Sequence, residues 1–183
     1  MKRLENIKAE AEKFRGYVVK QMRTALTKKN KNASKDLYNS IEGEIVGEPP
    51  TMDIIFRTLP YGKFVDQGVN GVQLKHGSPF SFKSKGGVRG LKGMPPPSAL
   101  DKWIILRGIA PRDKSGRFMT RKQTQFMIAR GIFLKGITPS LFFTKTFEDA
   151  MNRAGKDFVN ALGSDVAIYM EEVIKESNKK RKK

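Results

Sequence analysis

The chain has 183 residues and a formal charge of +18, from 36 basic against 18 acidic side chains, with one histidine and no cysteine. That length suits one domain with a single ordinary core, while the missing cysteines exclude disulfide staples and thiolate chemistry and the lone His76 leaves no imidazole pair for zinc. No apolar run approaches the about eighteen residues of a membrane span, and Met1-Lys2-Arg3 leads into an amphipathic pattern instead of an apolar signal core.

Leu4, Ile7, Ala11, Phe14, Val18, Met22 and Ala25 recur at three- and four-residue steps, which predicts an amphipathic helix from about residue 3 to residue 28. Ser34 is placed to cap a short turn through Asp36, Leu37 and Tyr38. Ile41, Gly43 and Ile45 then alternate with Glu42, Glu44 and Val46, and the run Met52 to Leu59 follows Pro49-Pro50. Together these predict a β-hairpin that turns between Gly47 and Thr51. Pro60 ends the second strand because it has no N–H for a ladder. Tyr61, Phe64 and Val65 are spaced to lay one face of a helical turn on the hairpin, with Gly68 as its stop.

From Asn70 to Pro97 no helical period appears. His76 to Pro79 is turn-like, Phe80 to Lys83 reads as a short edge strand, and Lys85 to Gly93 is basic and glycine-rich. A loop this long is unusual in a compact domain unless it has a task. Extended, its roughly 28 residues reach on the order of 90 Å. The next helix follows Pro95-Pro96-Pro97-Ser98, draws its apolar side from Leu100, Trp103, Ile104, Ile105 and Leu106, and ends near Gly108. Residues 110–122 are again basic and turn-rich. Phe126, Met127, Ala129, Ile132, Phe133 and Leu134 mark a helix stopped by Gly136, and a final helical region runs from Phe147 to Ile174 with Gly163-Ser164 as a candidate break. Lys179 to Lys183 form a like-charged tail that repels itself.

The expected fold class is therefore α+β. A small antiparallel sheet packs against a long N-terminal helix and C-terminal helices. Residues 1–175 make one domain, the basic loops 70–97 and 110–122 project from it, and 176–183 is a flexible tail.

Charge is unevenly spread: residues 36–74 carry six acids against Arg57 and Lys63, whereas 75–135 carry fourteen Lys/Arg against Asp101 and Asp113. A polyanion or an acidic protein surface is the expected neighbour. Catalytic patterns are scarce. No pair of carboxylates is singled out for acid/base work, and Asp66 is expected to bond local backbone groups or pair with a basic residue. The glycine-rich stretch lacks phosphate-loop spacing. Phe142, Phe143 and Phe147 sit beside helix-period apolar positions, which favours core packing over base stacking. No metal or other cofactor is expected.

The order of features is more specific than any single motif. It runs helix, hairpin, Tyr61-x-x-Phe64-Val65-Asp66-x-Gly68, long loop, Pro95-Pro96-Pro97, Trp103-Ile104, Arg107-Gly108-Ile109, Gly116-Arg117-Phe118, Gly131-Ile132 to Gly136-Ile137, and Pro139 with Phe142-Phe143. From the first helix to about residue 175 this order resembles the HK97 gp10-like tail-completion or neck proteins of tailed bacteriophages. The usual short form of that family lacks the Trp103 helix and the basic segment from Arg112 to Lys122 that this chain inserts.

The resemblance implies a non-enzymatic virion protein, assembled in the host cytoplasm, that forms a homo-oligomeric ring at the head–tail junction. Its implied partners are itself, portal or connector proteins, tail proteins and the DNA in the channel, with no membrane. Val69, Val72, Leu74, Phe80 and Phe82 are the expected apolar contacts to neighbours, and Lys83, Lys85, Arg89, Lys92, Arg112, Lys114 and Arg117 the charged ones. Tyr61, Phe64, Val65, Asp66 and Gly68 form the expected junction between body and loop. Two rival readings are an independent nucleic-acid-binding protein, supported by the charge, and a small magnesium nuclease, for which Asp53 and Asp66 are too few.

Overall fold

The computed structural model describes residues 4–49, 51–86 and 90–181, with Lys180 and Arg181 by backbone alone. The fold is α+β: six α-helices and two small antiparallel pairs of strands among the described residues. Residues expected to make one domain divide into two compact units. One comprises Met1–Thr24, Ile41–Arg57 and Phe143–Lys183, and the other Ala25–Ser40 and Thr58–Phe142.

In the first unit, helix α1 (Glu5–Lys28) buries Ala11, Phe14, Val18 and Met22, the stripe its periodicity predicts. Its last turn belongs to the second unit, where Leu26 is buried in place of the expected Ala25. Strands β1 (Glu42–Val46) and β2 (Asp53–Arg57) form the expected hairpin, with Glu42 opposite Arg57 and Val46 opposite Asp53. Four rings join the hairpin to α1 and to the last helix, α6 (Thr144–Arg181). Phe14 meets Phe56, Phe147 and Phe158 edge-on at centroid distances of 6.4, 6.2 and 5.8 Å, and Phe56 meets Phe147 at 6.1 Å. Each such pair contributes about 0.5–1.5 kcal/mol beyond its buried area.

Asp165 of α6 caps the start of α1 from across the sequence. Its Oδ1 accepts from the Asn6 backbone N–H (3.2 Å) and Nδ2 (2.8 Å), and its Oδ2 accepts from the Ile7 N–H at 2.9 Å. A carboxylate at a helix N-terminus satisfies otherwise unpaired donors and complements the helix dipole.

Helix α6 runs unbroken for 38 residues, through the expected break at Gly163-Ser164 and on to Arg181, where a flexible tail was expected. Lys182 and Lys183 lie outside the described residues. An interior glycine costs a helix only about 1 kcal/mol, and Ser164 turns its hydroxyl back to the Asn160 carbonyl at 3.0 Å, so neither residue ends it. A Cβ added at Gly163 would meet nothing within 4 Å. Gly163→Ala is therefore expected to raise stability by about 0.5–1 kcal/mol. Chemical denaturation followed by circular dichroism checks it, and a loss of stability would place that helix segment in a different conformation.

In the second unit, α1 closes with a Schellman turn: Asn30, at φ 51°, donates to the Thr27 carbonyl at 3.0 Å and Lys31 donates to Leu26 at 2.9 Å. The short helix α2 (Asp36–Asn39) buries Leu37. Helix α3 (Gly62–Gln67) ends at Gly68, as expected, and leads into β3 (Val69–Asn70), which pairs antiparallel with β4 (Gly136–Ile137).

A 3-10 turn (Pro97–Leu100) precedes α4 (Asp101–Leu106). Helix α5 (Arg121–Lys135) begins at a capping box in which Thr120 and Gln123 bond each other's backbone N–H. Arg121 and Lys122 thus open a helix, where a loop to residue 122 was expected. The core holds Leu26, Leu37, Val69, Ile104, Ala129, Phe133 and Phe142. Phe126 and Met127, expected on the inner face of α5, are each 46% exposed, and Trp103, Ile105 and Leu106 are also exposed. Among the described residues no helix is long and apolar enough to cross a membrane.

Candidate interaction site

The junction from Tyr61 to Gly71 works because two backbones cross there without side chains between them. A Cβ on Gly68 would lie 2.4 Å from the Ile137 carbonyl oxygen, one on Gly71 2.2 Å from the Leu134 oxygen, and one on Gly136 2.2 Å from the Val69 oxygen. Gly68 and Gly136 also adopt φ of 70° and 82°, the left-handed region. Buried Ser140 seals the same crossing, its hydroxyl donating to the Val65 carbonyl at 2.6 Å. The N–H groups of Ser140 and Leu141 donate to the Asp66 carbonyl at 3.0 and 2.8 Å. Asp66 is thus buried at the junction, and its backbone carbonyl ties α3 to a segment distant in sequence.

Asn70 organises the loop beyond β3. Its Nδ2 donates to the Ser78 carbonyl (2.6 Å) and Ser81 Oγ (3.0 Å), and its Oδ1 accepts from the N–H of His76 (2.6 Å) and Ser78 (3.2 Å). Its backbone N–H donates to Phe80 at 2.8 Å and its carbonyl accepts from Phe82 at 2.9 Å, which accounts for the short strand-like pairing expected at Phe80 to Lys83. Val72 and Gln73 donate to the Phe133 and Leu134 carbonyls at 3.0 and 2.9 Å. Farther on, the Lys85 N–H donates to the Lys92 carbonyl at 2.8 Å and the Lys92 N–H to the Gly86 carbonyl at 2.9 Å.

These bonds correct the expectation of a projecting arm over 70–97 for its first part, residues 70–82. Residues 70–82 are folded onto their own unit because each backbone polar group that leaves water needs a partner, and Asn70 supplies four side-chain bonds at one point.

The expected contact residues separate accordingly. Val69 is buried in β3 and is a core residue of its own chain, a correction to its expected place at a neighbour's surface. Val72, Phe80 and Phe82 are half-buried, with Phe82 6.0 Å from Phe133 and Phe80 4.6 Å from Phe64. Leu74 is half-exposed, and Lys83, Lys85 and Lys92 are exposed. Arg89 lies outside the described residues.

At the junction, Tyr61 is 42% exposed, and partial burial, then the Asp36 carboxylate, raise its phenol pKa above the ordinary value. Val65 is half-buried. Phe64 meets Phe80 within its own unit and lies 5.2 Å from Lys63 Nζ, with 37% of its surface exposed. Phe64→Ala is expected to cost about 1–2 kcal/mol, below the about 3–5 of a fully buried phenylalanine. Thermal unfolding checks it; a loss above that range would mean the ring is better enclosed.

The second basic loop is an ordered hairpin. Asp113 Oδ1 accepts from Ser115 and Arg117 N–H at 2.8 and 2.9 Å, Asp113 N–H donates to the Arg117 carbonyl at 2.8 Å, and Met119 N–H donates to Pro111 at 2.9 Å. Arg112 lies over the Phe118 ring, 3.8 Å from its centroid, and Phe118 is 63% exposed. Arg112, Lys114 and Arg117 are all exposed around it.

A cleft of about 610 Å³ opens between α1 and the hairpin, lined by Arg15, Arg23, Arg57, Glu42 and Glu44 among others. Its guanidinium groups have partners: Arg15 donates to the Gly43 carbonyl at 3.1 Å, Arg23 to Ile41 at 3.0 Å, and Arg57 pairs with Glu44. Arg15 and Arg23 thereby cover the outer edge of β1. Among the described residues no group of three or more His, Cys, Asp or Glu converges as a metal site would require.

Asn70, Ser78 and Ser140 were not singled out from sequence. The one available signal was an asparagine set between Val69 and Gly71, where a polar side chain has no use in a buried segment unless it is bonded. No family model, curated protein or solved structure matches this chain.

Proposed function

We propose that the chain is a structural, non-catalytic virion protein. It forms an oligomeric ring at the head–tail junction of a tailed bacteriophage, joins connector to tail and surrounds the DNA passage. The supporting observation is α6, on which nine large apolar side chains, from Met151 to Ile174, are 42–70% exposed. Exposed apolar area of that extent marks a surface that meets another protein. The place at the head–tail junction comes from the resemblance in feature order. The charge of +18 fits a ring close to DNA or to acidic portal surfaces.

Native mass spectrometry and electron microscopy of the purified protein, alone and with portal, test the proposal. A closed ring that binds portal is expected, and a monomer in both samples would overturn it. The same charge favours a second reading, an independent nucleic-acid-binding protein. Tight duplex binding by the monomer, falling steeply with salt, would select it.

A further inference from the structure

We infer that the outer edge of β2 pairs antiparallel with the same edge of a second copy of the chain, making a four-stranded sheet across a two-fold axis. The contact goes beyond the ring reading, since a two-fold pairing ends at two copies and is separate from the contacts that close a ring.

A two-stranded sheet has two outer edges, and this hairpin protects only one of them. On the β1 side the carbonyls of Ile41 and Gly43 accept from the Arg23 and Arg15 guanidinium groups at 3.0 and 3.1 Å. Because those carbonyls face away from β2, the ladder bonds fall on the pairs Glu42 with Arg57, Glu44 with Ile55 and Val46 with Asp53. In β2 the peptide groups that point outward are therefore those of Ile54 and Phe56. Among the described residues nothing bonds them. Buried peptide groups are almost always paired, so these face water as a free strand edge does. Neither proline nor lysine blocks the strand.

The strand is its own complement. Its five residues read Asp53-Ile54-Ile55-Phe56-Arg57. Bonds between two such edges must join outward groups to outward groups, so the full-length antiparallel register sets Ile54 against Phe56 of the second copy and Ile55 against Ile55. The same register brings Asp53 opposite Arg57 at both ends. A parallel pairing in register would set like charges together. Asp53 is exposed and has no ion pair among the described residues, whereas Arg57 pairs with Glu44 and lies across from Glu42. A guanidinium has five N–H donors, enough for Glu44 and a second carboxylate. Glu42 and Glu44 are two strand spacings, about 9.5 Å, from the incoming Asp53, so they repel it less than Arg57 attracts it. Any extended segment satisfies the peptide groups, and the two charged ends select this strand.

Cysteine cross-linking of the full chain tests the register, because the chain has no cysteine of its own. The Cα atoms of a non-hydrogen-bonded pair lie about 4.5 Å apart, within the span that a disulfide bridges. Ile55→Cys is expected to give a disulfide-linked dimer on mild oxidation, and Val46→Cys, 43% exposed on the same face of β1, to give little. Sedimentation velocity tests the charged ends. Asp53→Arg opposes two cations at each end and Arg57→Asp two carboxylates, so each alone is expected to dimerise about ten-fold more weakly than wild type or worse. An equimolar mixture joins unlike charges again and is expected to regain the dimer.

Ile55→Cys linking no faster than Val46→Cys, or Ile54→Cys linking in its place as a shifted register requires, would overturn the pairing. So would a mixture no better than either variant alone when circular dichroism shows both folded. Rings that assemble from a chain without the link leave the ring reading in place and remove this contact. The link in a chain that never forms rings keeps the contact and removes that reading alone.

Discussion

Gly136→Ala is expected to cost about 3–5 kcal/mol, a large effect for a single methyl group. The added carbon would lie 2.2 Å from the Val69 carbonyl oxygen of β3 and 2.5 Å from the nitrogen of Gly71, the residue that follows it, both backbone atoms. Backbone cannot rotate aside as a side-chain tip can, so β3 and β4 must separate, and the positive φ of 82° adds a strain of its own. Thermal unfolding of the purified variant measures the loss. A change below about 1 kcal/mol would mean that the two strands do not cross this closely.

Asn70→Leu keeps the volume of the side chain and removes its chemistry. Four hydrogen bonds end at the Asn70 amide, and without it the N–H groups of His76 and Ser78, the Ser78 carbonyl and the Ser81 hydroxyl lose those partners. The expected cost is about 2–4 kcal/mol, set less by the bonds lost than by polar groups left unpaired near the core. Hydrogen exchange gives the sharper readout. Amides from Val72 to Phe82 are expected to exchange faster while those of α1 are unchanged, and uniform protection across both segments would show that Asn70 does not hold the loop.

Local pattern carried the helices and the first hairpin. The stripe of α1 and the alternation of β1 are complete within a few turns or pairs, so periodicity alone places them. The stop at Gly68 was legible for the same reason: glycine is the residue that takes the conformation needed there. Local pattern misled where apolar residues were assumed to be buried. Phe126, Met127, Trp103 and Leu106 have the composition of a core and the exposure of a surface. The long loop was misjudged because its anchor is one asparagine whose partners lie up to 11 residues away, and because Val72 and Gln73 bond residues of α5. Gly163-Ser164 resembled a break, and the helix continues because an interior glycine costs less than ending a helix there would.

By itself the sequence determined the charge, the lack of cysteine chemistry, the α+β class and the positions of the long helices and the hairpin. These follow from side-chain type and from spacing within a few turns. Tertiary structure decided that residues 70–82 fold back, that Gly68, Gly71 and Gly136 let the chain around β3 and β4 come into backbone contact, and that apolar side chains on α6 stay uncovered. Each depends on which distant segment arrives to meet a given face, and a local period is the same whether the face it draws is buried or open to water.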